Sequence, residues 1–347
     1  MMNKYYTEPL EIKGRERSAV LTNRLILAPM AGVSDLPFRL LCHEQGAGLV
    51  CMEMISAKAV CYRNRATVSL MRTLPEERPV SLQLFGHEPE IMAEALDRME
   101  EGRTAEDGFL PSFDLLDINM GCPVPKIVNN GEGSALMKSP ELIEKLVRAA
   151  AAHGSRPVTV KLRTGIDEAH INVVECALAA QEGGAAAVGV HGRTRTQMYS
   201  GRADWTKIAE VREALRIPVF GNGDVTDGPS ALRLFKETGC DAVMIGRGAQ
   251  GNPWIFGDIQ EYLLRGGDDS ARSAGRHSPH GGAERKAMIL RHAELQLRFK
   301  SPAVAMQEMR KHVAWYIAGF PGSSRIREEV NRVESFEELR ALLDRCF

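Results

Sequence analysis

The stretch LLDINMGCP, residues 115–123, decides how this chain is read. Leu115-Leu116-Asp117-Ile118 is an apolar run of the kind that forms a buried strand, and it breaks abruptly into Gly121-Cys122-Pro123. Gly121 permits a tight turn and Pro123 stiffens its exit. One thiol therefore stands at the carboxyl end of a strand, the edge on which parallel α/β proteins carry out chemistry. On this segment alone, Cys122 reads equally as a reactive group and as a small core residue.

Seven further runs share this character. The eight begin near Leu25, Gly48, Pro79, Leu115, Pro157, Ala186, Ile217 and Asp241, with successive starts 23 to 42 residues apart. They are mostly continuous rather than alternating, as strands buried on both faces require. Amphipathic stretches fill all but one of the gaps. Ser34 is expected to cap a helix with Pro37 in its first turn, Ser139-Pro140 starts another, Asp204-Trp205 opens a third and Pro229 a fourth. The least defined interval runs from Ser56 to Met71. Eight β-α units at this spacing predict a (β/α)8 TIM barrel, with an open doubly wound sheet as the alternative. The barrel domain is expected over residues 1–265. A Gly/Ser/His-rich linker is expected over 266–283, and an all-α domain over 284–347, where Met306, Met309, Val313 and Ile317 recur at helical spacing. Gly102 to Ser112 reads as an inserted surface loop.

Composition narrows the class. The chain has 347 residues, 44% hydrophobic and 26% charged, with a net charge of −1. The segment from Glu284 onward carries 12 Lys and Arg against 9 Asp and Glu, a basic tail on an acidic body and a weak sign of a polyanion-facing appendage. Seven cysteines with no C-x-x-C pair point to reduced thiols in a cytoplasmic protein rather than to a disulfide framework or a zinc site. No signal pattern opens the chain and no run is long enough to span a bilayer. No metal is expected, and the chain is read as a monomer.

The predicted strand ends are polar: Gln83 on the third, Asn119 and Cys122 after the fourth, Lys161 and Arg163 on the fifth, and His191 on the sixth. The seventh ends in Gly221-Asn222-Gly223-Asp224 and the eighth in Gly246-Arg247-Gly248. In a barrel these ends converge on one mouth. Glycine-rich turns after strands seven and eight suit a phosphate, because small residues let backbone N–H groups approach it. Gly246-Arg247-Gly248-Ala249-Gln250-Gly251 matches G-x-G-x-x-G literally, but it follows the last strand and lacks the β-α-β context of a dinucleotide fingerprint. Lys161 could be a Schiff-base nucleophile, a partner for an anionic cofactor, or a lysine snorkelling to solvent. In the tail, Arg310-Lys311-His312 with Trp315-Tyr316 reads either as a solvated basic face beside a packed aromatic or as a phosphate-tracking surface with stacking aromatics.

Several of these segments together resemble the tRNA-dihydrouridine synthases, closest to the bacterial B-type enzymes. They are APMAGVSDLPFR (28–39), DINMGCP (117–123), GSALM (133–137), VKLRTG (160–165), HGRTR (191–195), GNGD (221–224), MIGRGAQGNPWIF (244–256) and RKHVAWY (310–316). The resemblance implies FMN-dependent reduction of uridine in tRNA, with NADPH as electron source. It implies that Pro29, Met30 and Ala31 line the flavin and that Gln83 contacts its ring. Lys161 and His191 would face the reduced ring, and Asn222, Gly223, Asp224, Gly246 and Arg247 the ribityl phosphate. Cys122 would be the general acid, with Asn119 and Arg163 near the uracil and Arg310 and Lys311 facing tRNA. Hydride passing from flavin N5 to uracil C6 leaves an enolate, and a thiol that is still protonated at neutral pH can protonate it at C5. Asn129-Asn130 departs from the family, whose members often carry a basic residue there. The competing expectations are a small-molecule barrel flavoenzyme of the dihydroorotate or dihydropyrimidine dehydrogenase kind, a flavin-free aldolase using Lys161, and a non-catalytic RNA-binding barrel.

Overall fold

Residues 6–104, 111–267 and 280–347 are described by a computed structural model. The core of the 102–112 insert and most of the expected linker lie outside the described residues. All eight expected runs form parallel strands of one closed barrel: β3 (Leu25–Leu27), β4 (Leu49–Ser56), β5 (Val80–Phe85), β6 (Leu115–Met120), β7 (Val158–Arg163), β8 (Ala187–His191), β9 (Val219–Asn222) and β10 (Ala242–Ile245). The barrel closes where β10 pairs with β3, Val243 beside Leu25. The open-sheet alternative is thereby excluded. β6 and β7 are buried along their whole length, because helices cover them outside and side chains fill them inside.

Two strands precede the barrel and went unread in the sequence. β1 (Leu10–Lys13) and β2 (Ser18–Leu21) form an antiparallel hairpin. Its Ile12, Ala19 and Leu21 pack with Ile26, Leu49, Leu115, Phe220 and Ala242 of the barrel strands. This hairpin floors the barrel, so the open mouth is left at the carboxyl ends.

The first barrel helix, Leu36–Glu44, is capped by Asp35 and not by Ser34, because the Asp35 carboxylate accepts the Phe38 N–H at 3.0 Å. The Ser34 hydroxyl instead accepts the Met30 N–H at 2.9 Å and closes the preceding loop. The unclear interval after β4 contains two short helices, Ala57–Cys61 and Arg65–Leu70. Between β4 and β5 the register shifts from Cys51 to Met54, an irregularity of the kind that re-aims side chains near sites.

The tail has four helices, Gly282–Phe299, Pro302–Tyr316, Ser323–Val330 and Phe336–Cys346. Met306, Met309, Val313 and Ile317 are buried in its core, with Leu40, Leu41 and Trp254 contributed by the barrel. No helix among the described residues is long and apolar enough to cross a membrane.

One buried ion pair ties the first barrel helix to the segment entering β5. Arg39, 2% exposed, donates Nε to Glu77, 0% exposed, at 2.7 Å and Nη2 to its other oxygen at 3.2 Å. Arg39 also donates to the Ser34 and Arg72 carbonyls. Removing one partner leaves a buried charge without compensation, which costs roughly 3–5 kcal/mol. Arg39→Met is therefore expected to lower the urea unfolding free energy by about that amount. A loss under about 1 kcal/mol would mean that the pair behaves as a surface contact.

Candidate active site at the mouth of the barrel

Strand register builds the site. Neighbouring β strands place Met54 beside Gln83, Gln83 beside Asp117 and Asp117 beside Thr159. Asn119 lies beside Lys161 two residues further along, toward the mouth. Side chains alternate along a strand, so these polar residues share the barrel interior. All but Lys161 belong to one hydrogen-bonded chain. Thr159 donates its hydroxyl to Asp117 at 2.5 Å, and Gln83 donates its amide to the same carboxylate at 2.6 Å. Asn119 donates to the Gln83 oxygen at 2.9 Å. The Asn119 oxygen accepts the N–H groups of Cys122 at 2.9 Å and Gly121 at 3.2 Å. Burial raises the pKa of Asp117, against the hydrogen bonds from Gln83 and Thr159.

Cys122 is held from both sides of its peptide. Its carbonyl accepts the N–H and hydroxyl of Ser134, at 3.1 and 2.9 Å. A Cβ on Gly133, whose φ is +59°, would lie 2.9 Å from the Cys122 carbonyl oxygen and 3.0 Å from its own Cβ. Only glycine packs there, which gives the GSALM segment a physical reason. Burial pushes the thiol pKa up; the Val124 N–H and Arg163 pull the other way without reversing it.

Lys161 is buried and makes no hydrogen bond or ion pair with another described residue. Its chain fits because position 189 is glycine: a Cβ there would come within 2.8 Å of the Lys161 Cδ. Burial lowers its pKa to about 7, Arg163 adds to the effect, and Asp117 opposes it. Burial likewise depresses His191, helped by Lys161 and three arginines, so its imidazole is neutral. Arg163 is pushed down to about 10 by burial and remains a cation. It donates to the carbonyls of Gly121, Thr194 and Met198 at 2.8 to 2.9 Å.

The two glycine turns close the far side. Asp224 has φ +61° and Gly223 has φ +130°. A Cβ on Gly248 would strike the Val225 carbonyl at 2.3 Å. The Asp224 carboxylate accepts from Arg193 at 2.8 Å, from the Ala203 N–H at 2.7 Å and from Arg247 at 3.2 Å. Burial opposes its ionisation, but these donors hold its pKa below the usual value.

These elements surround a cavity of about 790 Å³, within the range of roughly 300–1,000 Å³ typical of cofactor sites. Pro29, Met30, Ala31, Gln83, Asn119, Cys122, Lys161, Arg163, His191, Asn222, Gly223, Asp224, Gly246 and Arg247 all line it. Arg310 and Lys311 do not. Arg310 is half-buried and donates to the Val333 carbonyl at 3.1 Å. Lys311 reaches the rim, with its Nζ 3.9 Å from where a Cβ on Gly32 would stand. His312 and Tyr316 are buried, and Trp315 packs edge-on against His312. These two buried rings therefore serve packing and offer no exposed stacking platform. Sequence reading missed Met54, Met198 and Tyr199 among the lining residues. Tyr199 is 54% exposed and lies between the guanidinium groups of Arg247, at 4.9 Å, and Arg163, at 5.9 Å. The continuation TQMY after HGRTR was the available signal.

Comparison with known proteins bears on the family. The family model described as Dihydrouridine synthase (Dus) matches residues 26–347. A protein of Pseudomonas aeruginosa named tRNA-dihydrouridine synthase B is 40% identical over 316 residues, covering 90% of each chain. One of the same name from Xanthomonas campestris is 41% identical, over 92% of this chain and 91% of that one. Among solved structures, histamine dehydrogenase from Rhizobium sp. 4-9 aligns with a TM-score of 0.56 at 10% identity, over 99% of this chain and 64% of that chain. The amine oxidase HisD from Pseudomonas geniculata aligns at 0.54 and 11% identity, over 76% and 50%. At such identities the structural matches speak for the barrel alone. The family match and the long relatives speak for more: this chain belongs to the dihydrouridine synthase family.

Proposed function

We propose that this chain reduces uridine to 5,6-dihydrouridine in tRNA, in the cytoplasm, with FMN in the barrel cavity and NADPH as electron source. The observation that carries the reading is one cavity lined by the Cys122 thiol, the buried Lys161 and two glycine turns. The residues fit FMN. A buried ammonium facing a cavity calls for an anion. The turns at Gly223 and Gly246 to Gly248 leave backbone exposed to a phosphate, with Arg247 as a charged donor. Asp224, itself an anion, serves this site by holding Arg247 rather than by touching the phosphate. Pro29, Met30 and Ala31 would flank the ring, Gln83 would offer its remaining amide N–H, and Lys161 and His191 would face the ring edge. When bound, FMN recharged by NADPH supplies the hydride that reaches uracil C6.

The protein's own part is the proton. Charge develops toward uracil C5 and Cys122 donates its thiol proton there. The raised pKa suits an acid, because the proton stays on sulfur through neutral pH. Asn119 aims the cysteine loop, and Arg163 braces the Gly121 carbonyl on the other side. Its fixed positive charge lies beside the developing enolate. The uracil must leave its stack to enter the cavity, and the basic tail supplies backbone contacts to the RNA. The seven free cysteines fit a reducing compartment.

Incubating the purified protein with NADPH and unmodified tRNA should yield dihydrouridine by mass analysis of the digested RNA; a yellow protein that oxidises NADPH but leaves tRNA unchanged would overturn the reading. In Cys122→Ala, flavin reduction by NADPH should proceed normally while dihydrouridine formation falls by about 10²–10⁴. Undiminished product would remove Cys122 from the mechanism. Lys161 gives a prediction with opposite signs in two assays. Its folded pKa of about 7 lies below the unfolded value, so the folded chain binds fewer protons between that pH and the ordinary lysine range. The lysine thus destabilises the apo protein increasingly as pH falls across that window, with the full cost present below it. Lys161→Met should raise the apo Tm at pH 7 and slow flavin reduction by about tenfold or more. A lower apo Tm together with full-rate reduction would contradict both roles.

A further inference from the structure

We propose that the contact between Asp35 and Lys300 is a positioning joint that sets the helical tail against the cavity, and so sets where a tail-bound RNA presents its uridine. The inference rests on the tRNA reading above. The loop lining one wall of the cavity, from Ala28 to Val33, ends at Asp35. The loop is tied down within the barrel, where the Met30 N–H meets the Ser34 hydroxyl and the Gly32 N–H meets the Glu53 carboxylate. Asp35 then divides its carboxylate between the two parts of the molecule. One oxygen caps the first barrel helix through the Phe38 N–H at 3.0 Å. The other accepts from the tail, from Lys300 Nζ at 2.5 Å and Gln296 Nε2 at 2.8 Å.

Lys300 is placed to transmit position. It follows the helix Gly282–Phe299 and also pairs with Glu308 of the helix Pro302–Tyr316, so a single ammonium fixes two tail helices to one barrel carboxylate. The pair is largely dry, with 12% of the Asp35 side chain and 22% of Lys300 exposed. Burial would raise the Asp35 pKa, but Lys300 above all holds it at about 2. A second strut lies beside the first, on the segment that follows β10, the strand paired with β3: a Cβ on Gly251 would fall within 2.3 Å of the Trp315 backbone, while the adjoining Gln250 lines the cavity. The tail therefore docks on two neighbouring segments of the cavity wall, those after β3 and β10. A displacement of about 1 Å in such a geometry can cost on the order of 10² in rate.

The test uses the full-length flavin-loaded protein and unmodified tRNA transcripts. Lys300→Met leaves the helix cap intact, and Asp35→Asn keeps a good capping residue. In both, flavin content and its reduction by NADPH should stay within about twofold of wild type. Single-turnover reoxidation of the flavin at saturating tRNA should fall about 10- to 100-fold. The double variant should be no slower than either single one, and Lys300→Arg should restore most of the rate. Full single-turnover rates at saturation, with losses confined to tRNA affinity or Tm, would overturn the joint and leave a merely structural pair. A wild-type protein whose reduced flavin is not reoxidised by tRNA would instead overturn the tRNA reading, and this inference with it.

Discussion

The Asn119 amide spends its oxygen on the N–H groups of Cys122 and Gly121, and its nitrogen on Gln83 at 2.9 Å and the Met54 sulfur at 3.5 Å. Every hydrogen-bonding position of that side chain is filled by the protein. It is fixed from below by the buried Asp117, which orients Gln83 and thereby dictates which way the Asn119 amide faces. A hydrogen-bonded chain thus runs from the barrel interior to the one thiol at the mouth. Buried polar networks of this kind rigidify a site when every member is satisfied. Here the consequence is directional: Cys122 is presented by its backbone, and no residue of the chain running from Asp117 to Asn119 takes up its sulfur.

Two opposing electrostatic effects meet in the cavity, and burial wins both. Around the thiol, Arg163 favours the thiolate, but desolvation outweighs it and the proton stays. Around Lys161, Asp117 favours the cation, but desolvation and Arg163 outweigh it and the pKa drops to about 7. The barrel accepts a destabilising lysine at its centre, with Gly189 making room for its chain. That cost is intelligible where the group is held ready for an anion that arrives with the cofactor. Burial, with Lys161, Arg163, Arg193 and Arg247 nearby, also keeps His191 neutral, so it can donate or accept a hydrogen bond but carries no charge.

Much of this was legible in the sequence, and the parts that were not have a common cause. Continuous apolar runs ending in polar or glycine turns specify buried parallel strands with chemistry at one edge, so the barrel and its fourteen lining candidates could be read from pattern and resemblance. The floor hairpin could not: its strands have four residues each and are joined through a charged turn at Gly14 to Arg17. The cap assigned to Ser34 was one residue off, because Ser and Asp stand side by side and the Ser34 hydroxyl is taken up by the Met30 N–H of the preceding loop, leaving the Phe38 N–H to Asp35. The saturation of Asn119, the burial of His312 and Tyr316 and the tie of Arg310 to Val333 are products of packing between distant segments. Local pattern carries no record of such contacts.

The central claim is that Cys122 works as an acid, in the thiol form that burial preserves. The most direct measurement is the rate at which tRNA reoxidises the pre-reduced flavin in single turnover, followed against pH. The account predicts a rate that is level through neutral pH and falls only above the ordinary thiol value of about 8.5, as the proton is lost. A rate that instead climbs with pH through that range would mean that the thiolate is the reacting form, and would contradict the account.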